Sequence, residues 1–486
     1  MPPPRDLKVV IVGAGFGGLA AAIELLQHGF RDLVIVDRAD GIGGTWHHND
    51  YPGAACDAPS HLYSFSFAQW RHWTRICSPR DEILEYLKGV AREYGVDRLV
   101  TGCTEVARCD WDEATRRWTL VSTDGRTWDA DAVVVATGQL HRPSYPRIEG
   151  RESFAGHSFH SAEWDHGYDL RGKRVAVIGA GASAVQFVPE VAKLAERLVV
   201  FQRAANWFLP RRNRPYPALI KAVIRVPGVQ AFRRRFTFWY AEGLTLLIRH
   251  PRTWGRLGRA RSAAFMRRQV RDPALRAKIW PDYAFGCKRV LFSSHYLPAL
   301  QRPNVELVSD PIVRISPTGL VTEGGHEHEV DCIIYGTGFK AGRFMLPMEI
   351  VGRGGRTLRE AWAQGPRAHL GITVPGFPSL FLMYGPNTNT SGGSIITYEE
   401  AQAGYVRQAL EHVRERAAAA IDVRPEVEAA SDRELQARFA GTAWTRCDSW
   451  YRDDRGRIVA NWPGYMHEYV ERTRVLDPGQ FTFLEP

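Results

Sequence analysis

Two glycine-rich turns constrain this 486-residue chain more than any other feature: Gly13-Ala-Gly-Phe-Gly-Gly18 and Gly179-Ala-Gly-Ala-Ser-Ala184. Each follows an apolar run, Lys8-Val-Val-Ile-Val12 and Lys173-Arg-Val-Ala-Val-Ile178, and each precedes a stretch of helical periodicity. Continuous apolar runs of this length are what a buried parallel strand requires. In the first unit a second strand, Leu33-Val-Ile-Val36, follows the helix and ends at Asp37. Gly13, Gly15 and Gly18 let backbone approach a pyrophosphate, the helix N-terminus stabilises the anion, and the acid reaches ribose hydroxyls. A lone G-x-G-x-x-G is weak, but inside a complete strand–helix–strand–acid unit it predicts a dinucleotide site. The second unit repeats the plan with Gly179, Gly181, Ser183 and Ala184, then strand 197–201. Arg203 stands where an acid would select NAD. It either accommodates the 2′-phosphate of NADPH or is a surface arginine.

Composition sets the background. An apolar fraction of 44% and a charged fraction of 24% describe an ordinary globular protein of two or three domains. The seven cysteines form no C-x-x-C pair, so no disulfide framework or zinc site is expected, and a reducing cytoplasm fits. Met1-Pro-Pro-Pro4 leads almost straight into a strand, without the charged-then-apolar order of a signal peptide. No run reaches the roughly 20 apolar residues of a membrane span. The net charge of +10 comes with no nucleic-acid motif. Two anionic dinucleotides, or an arginine-rich surface with no specific partner, account for it.

Between the fingerprints lies Phe154-Ala-Gly-His-Ser-Phe-His-Ser-Ala-Glu-Trp-Asp165. Its pattern, Phe154, Gly156, His160, Trp164 and Asp165, resembles the fingerprint of Baeyer–Villiger monooxygenases. As bare residues its aromatics could simply pack a linker. A second stretch, Gly43-Gly-Thr-Trp46 with Tyr51-Pro-Gly53 and Asp57, resembles the longer signature of that family. Read from the residues alone, Asp57 is either a carboxylate needing a cation or a helix N-cap ahead of Ser60. Many family members carry Arg two residues before this acid, where this chain has Ala55, and Glu at the position of Asp37.

The resemblance covers about residues 8 to 475. It implies an α/β protein with two Rossmann-like dinucleotide-binding domains, for FAD and NADPH, and a helical insertion. The FAD domain would comprise residues 1–145 and 341–486, the latter including a substrate-side segment. The NADPH domain would be 146–340, interrupted by the insertion at about 212–285. Carried over residue by residue, the resemblance places cofactor contacts at Phe16, Gly44, Thr45, Trp46, Tyr63, Val106 and Asn387. It places the family's Lys-Arg pair at Lys288, toward the NADPH 2′-phosphate, and Arg289, toward the flavin. The insertion is arginine-rich and aromatic, with helical periodicity over 219–226 and 239–247. It reads as a cap over the active site, or as a surface for self-association or peripheral membrane contact.

The implied activity is conversion of a ketone to an ester or lactone with O2, through a C4a-peroxyflavin. Arg289 would stabilise the anionic oxygens, and Asp57 would hold Arg289. Amine- or sulfide-oxygenating flavin monooxygenases are the alternative. Their fingerprint usually ends in Tyr or Phe followed by Lys or Arg, whereas this one ends in Trp164-Asp165. A flavin disulfide reductase would need a close cysteine pair, which the sequence lacks. A monomer or homodimer is expected, with no metal.

Overall fold

A computed structural model describes residues 6–486 except 212, 227, 341, 343, 346 and 391. The opening Met1-Pro-Pro-Pro4 and the boundary positions 212 and 341 therefore lie outside the described residues. Two parallel sheets of five strands form the frame. The first has the order Leu380–Leu382, Ala132–Val135, Val9–Val12, Leu33–Val36, Val100–Thr101. Its centre is in register with Val12 beside Val36 and Val135. Strand Val9–Val12 is buried along its whole length, as its unbroken apolar run requires. Helix Phe16–Gln27 and the distant helix Ile395–Glu415 share one apolar core on this sheet. The opposite face carries an antiparallel layer, Val106–Asp112, Arg117–Ser122 and Thr127–Ala130.

The second sheet has the order Val305–Val308, Arg197–Phe201, Arg174–Ile178, Cys332–Tyr335, His157–His160, all parallel. Helix Ala182–Leu194 packs on it through Ala184, Phe187, Val188 and Val191. Helix Arg80–Glu93 follows Pro79. Among its described residues the arginine-rich region forms the helices Ala218–Ile224, Val229–Arg249, Trp254–Gln269 and Pro273–Ile279. Residues 57–66 form turns and bends, so there is no helix there for Asp57 to cap.

One expectation fails. Cys287 and Cys447 form a disulfide, with Cα atoms 6.1 Å apart across 160 residues of sequence. Local spacing could not reveal it, because the fold alone brings the C-terminal segment against residues 286–289.

Candidate active site

The first fingerprint forms the floor of a cavity of about 580 Å³. Gly13 has φ +115°, and a Cβ there would stand 2.4 Å from the Ala136 carbonyl oxygen. On Gly18 a Cβ would meet the Gly13 oxygen at 1.8 Å, so this glycine serves helix–turn packing and does not line the cavity. The helix begins at Phe16 with Gly15 as N-cap and no side chain capping it, which leaves its first N–H groups for a ligand. Asp37 is buried and accepts hydrogen bonds from the Ala14 N–H at 2.6 Å and the Ala39 N–H at 2.8 Å. The acid and the glycine turn thus meet in one cradle, with Val106 on the same cavity wall.

The second signature lies against this cradle. A Cβ on Gly44 would approach the Gly15 Cα to 2.9 Å, so two glycine turns touch backbone to backbone. Thr45 and Trp46 follow on the cavity wall. The Trp46 indole N–H donates to the Tyr63 hydroxyl at 3.2 Å, and Tyr63 meets Phe16 edge-on. Farther along, the Tyr51 hydroxyl donates to Gln186 Oε1 at 3.0 Å, and the Gln186 amide donates to the Ala55 carbonyl at 2.8 Å. Tyr51-Pro-Gly53 is therefore a joint onto the second fingerprint's helix.

Asp57 finds its cation. Nη2 of Arg289 lies 2.7 and 2.8 Å from the two carboxylate oxygens of Asp57. The Arg289 side chain is 54% accessible, although protein surrounds it, because it opens into the cavity rather than onto the outer surface. The charge of Asp57 raises the guanidinium's pKa further above its ordinary value, so it stays cationic. The Tyr451 hydroxyl is pushed up to about 12 by burial, with the Arg289 charge and a bond from its backbone pulling the other way.

In the second unit a Cβ on Gly179, at φ +114°, would meet the Gly336 oxygen at 2.3 Å. Ser183 lines the cavity, whereas Gly179, Gly181 and Ala184 lie behind it. Arg203 is exposed past strand Arg197–Phe201, and the Lys288 ammonium sits 4.7 Å from the centre of the Tyr283 ring. Neither lines the cavity in this structure. Both stand on the second unit's side, and a cradle stripped of side chains at each fingerprint fits two dinucleotides.

Comparison with known proteins agrees with this arrangement. The pyridine nucleotide-disulphide oxidoreductase family matches residues 10–225. A Baeyer-Villiger monooxygenase of Streptomyces coelicolor is 40% identical over 99% of this chain and 93% of its own length. The chain belongs to the Baeyer–Villiger monooxygenase family. A second member, from Pseudomonas aeruginosa, is 39% identical over 98% of this chain and 91% of its own. Among solved structures, an oxidized steroid monooxygenase bound to NADP superposes with a TM-score of 0.89 at 32% identity, covering 99% of both chains. The closed crystal structure of cyclohexanone monooxygenase gives 0.89 at 28%, again over 99% of both.

Within this Baeyer–Villiger frame the linker fingerprint is structural in its contacts. It forms the edge strand His157–His160 of the second sheet. A Cβ on Gly156 would strike the Phe154 ring at 2.5 Å and the Asp331 oxygen at 2.6 Å. Trp164 packs on Phe159 and Phe187, and Asp165 pairs with His157 at 2.8 Å. His160 is fully buried, its pKa lowered by burial, with the Tyr145 and Phe339 rings beside it. Asn387 also turns away from the cavity. Its amide donates to the Ile458 and Asn461 carbonyls, which fastens the C-terminal segment.

Sequence reasoning missed Glu399. It is buried in helix Ile395–Glu415, lines the cavity, and has Oε2 without a partner among the described residues. Its Oε1 would lie 3.2 Å from a Cβ on Gly17 at the fingerprint helix. Burial, with a smaller contribution from Glu400, pushes its carboxyl up to about 8, so at neutral pH it is largely a donor. Next to Glu400 in sequence it reads as a solvated helix face, and no local signal marks it.

Proposed function

We propose that this protein inserts one atom of O2 beside the carbonyl of a ketone, giving an ester or lactone, with FAD and NADPH as cofactors. The observation that carries the reading is the Arg289–Asp57 pair, a fixed guanidinium opening into a cavity floored by a dinucleotide cradle. Bound flavin, reduced by NADPH, would supply the activated oxygen. Arg289 would neutralise negative charge on the reacting oxygens, a task suited to a cation that does not deprotonate. Asp57 holds that cation in place by taking a single nitrogen, Nη2, with both its oxygens. Asp37 and the fingerprint glycines would bind FAD, and Arg203 and Lys288 would bind the 2′-phosphate of NADPH. Aromatic walls at Trp46, Tyr63 and Tyr451 would exclude bulk water.

The domain division follows the sheets. Strand Leu380–Leu382 returns to the sheet built by residues 9–135, which supports an FAD domain made of 1–145 and 341–486. The strands from 157 to 335 support an NADPH domain over 146–340. No described helix is long and apolar enough to cross a membrane. Action in the cytoplasm, where NADPH is regenerated, as a monomer or homodimer completes the reading.

The test is turnover of FAD-loaded protein with NADPH under 18O2 against cyclic, linear and aryl ketones. Esters or lactones carrying one labelled atom are expected. Only sulfoxides or N-oxides from a parallel panel, with no ester from any ketone, would refute the reading.

A further inference from the structure

The arginine-rich helices hold a surface that the cofactor and substrate chemistry leaves unused. Residues 211–271 contain sixteen Lys and Arg against one acid, Glu242. That net +15 exceeds the +10 of the whole chain, so the remaining residues together are acidic. Even Glu242 is withdrawn from the surface, being buried and accepting from the His467 backbone N–H at 2.9 Å. Arg225, Arg235, Arg252 and Arg256 are exposed.

The same helices expose large apolar side chains in stripes. On helix Val229–Arg249, Phe232 is 71% exposed, Phe236 65% and Trp239 55%. Their spacing of four and three residues puts them on one helix face. On helix Ala218–Ile224 and the turn after it, Leu219, Val223 and Val226 repeat that spacing and are also exposed. Trp254 and Leu257 continue the pattern on the next helix. Isolated surface apolar residues need no explanation, but a stripe on each of three successive helices does.

We propose that these helices dock the enzyme on the surface of an anionic lipid bilayer. Amphipathic helices with aromatic and aliphatic side chains beside Lys and Arg settle at the headgroup–acyl boundary, and the cations draw them to anionic headgroups. Two such faces, each presenting the exposed Arg225, Arg235, Arg252 and Arg256, repel one another, which argues against a second copy as the occupant. Exposed Leu, Val and Phe have no use against a phosphate backbone, which argues against nucleic acid. The inner face of helix Val229–Arg249 reaches the active-site cavity through Leu244, Leu247 and Ile248, and Tyr240 is both half-exposed and on the cavity wall. Docking therefore sets the cavity beside the acyl layer. With the ketone oxygenation proposed above, on which this corollary alone rests, the substrates are ketones dissolved in lipid.

The test uses the FAD-loaded full chain in sedimentation with vesicles. One set is pure phosphatidylcholine and the other contains phosphatidylglycerol. Binding to the anionic vesicles is expected, weakening as salt rises. Arg225→Gln, Arg235→Gln, Arg252→Gln and Arg256→Gln together should weaken it by roughly several hundredfold, at about fivefold for each cation near the surface. Phe232→Ser, Phe236→Ser and Trp239→Ser together should weaken it at least about 100-fold, while retained flavin absorbance shows the fold intact. No sedimentation with anionic vesicles overturns the proposal. So does anionic binding that the serine variant retains in full, or a concentration-dependent dimer that the serine variant abolishes in protein that ignores vesicles. Because no step depends on turnover, a negative result here is distinct from failure of the ketone reading.

Discussion

Arg289→Ala separates oxygenation from simple flavin reduction. In the structure one guanidinium nitrogen holds both oxygens of Asp57, and the side chain opens into the cavity. The substitution removes a cation from the reacting centre and leaves Asp57, largely shielded from solvent, without its partner. Losing one such charge partner in a water-poor site costs about 3–4 kcal/mol in the transition state, or roughly 10²–10³ in rate. The orphaned carboxylate adds repulsion toward any anion nearby, so the loss should sit at the upper end. Hydride transfer from NADPH creates no comparable oxyanion, so flavin bleaching should persist. Arg289→Lys should rescue little, since an ammonium lacks the planar fork. Removing Asp57 as well, in Asp57→Ala/Arg289→Ala, should recover part of the loss by lifting the uncompensated charge. Stopped-flow reduction paired with product analysis on one accepted ketone reads all of this. NADPH consumption with hydrogen peroxide release and little ester is expected from Arg289→Ala. Product yield like that of the parent would remove Arg289 from the chemistry.

Three further outcomes follow from named contacts. Arg203→Ala should weaken NADPH by about tenfold or more, at roughly 1.5–3 kcal/mol for a charged hydrogen bond, and leave NADH use nearly unchanged; steady-state comparison of the two coenzymes decides, and equal losses exclude a phosphate contact. Gly13→Ala should abolish FAD retention, because the Cβ would stand 2.4 Å from the Ala136 oxygen at φ +115°; a yellow variant with ordinary flavin content contradicts the cradle. Glu399 has a folded pKa of about 8 against an ordinary value near 4.5, so the native state binds the extra proton and stability falls as pH rises from about 5 to 8. Glu399→Gln should remove that decline and stabilise the flavin-free protein at pH 8 by up to about 4 kcal/mol. Melting curves across that window check it, and a pH-independent difference from the parent rejects the burial argument.

Much of the site was legible in sequence because its requirements are local. A Gly13 that must turn with positive φ, apolar strands on either side, and an acid at the end of the second strand are fixed by near neighbours along the chain. The same holds for Gly44, whose turn meets Gly15 backbone to backbone, whereas Tyr63 was marked only by family resemblance and reaches Trp46 across 17 residues of chain. Arg289 and Asp57 were paired only through family resemblance, since nothing in their own neighbours says that positions 232 residues apart touch. Asn387 shows the opposite limit. The family resemblance marks it in the sequence, but the direction of its amide, toward Ile458 and Asn461, is set by the C-terminal segment it fastens. The disulfide between Cys287 and Cys447 and the raised carboxyl of Glu399 were beyond reach for one reason. Proximity and burial are properties of packed elements, and a residue's charge or reactivity is decided by what the fold places around it. Sequence by itself determined the two dinucleotide units and their order; the tertiary structure decided which side chains share the cavity, because that depends on distances through space.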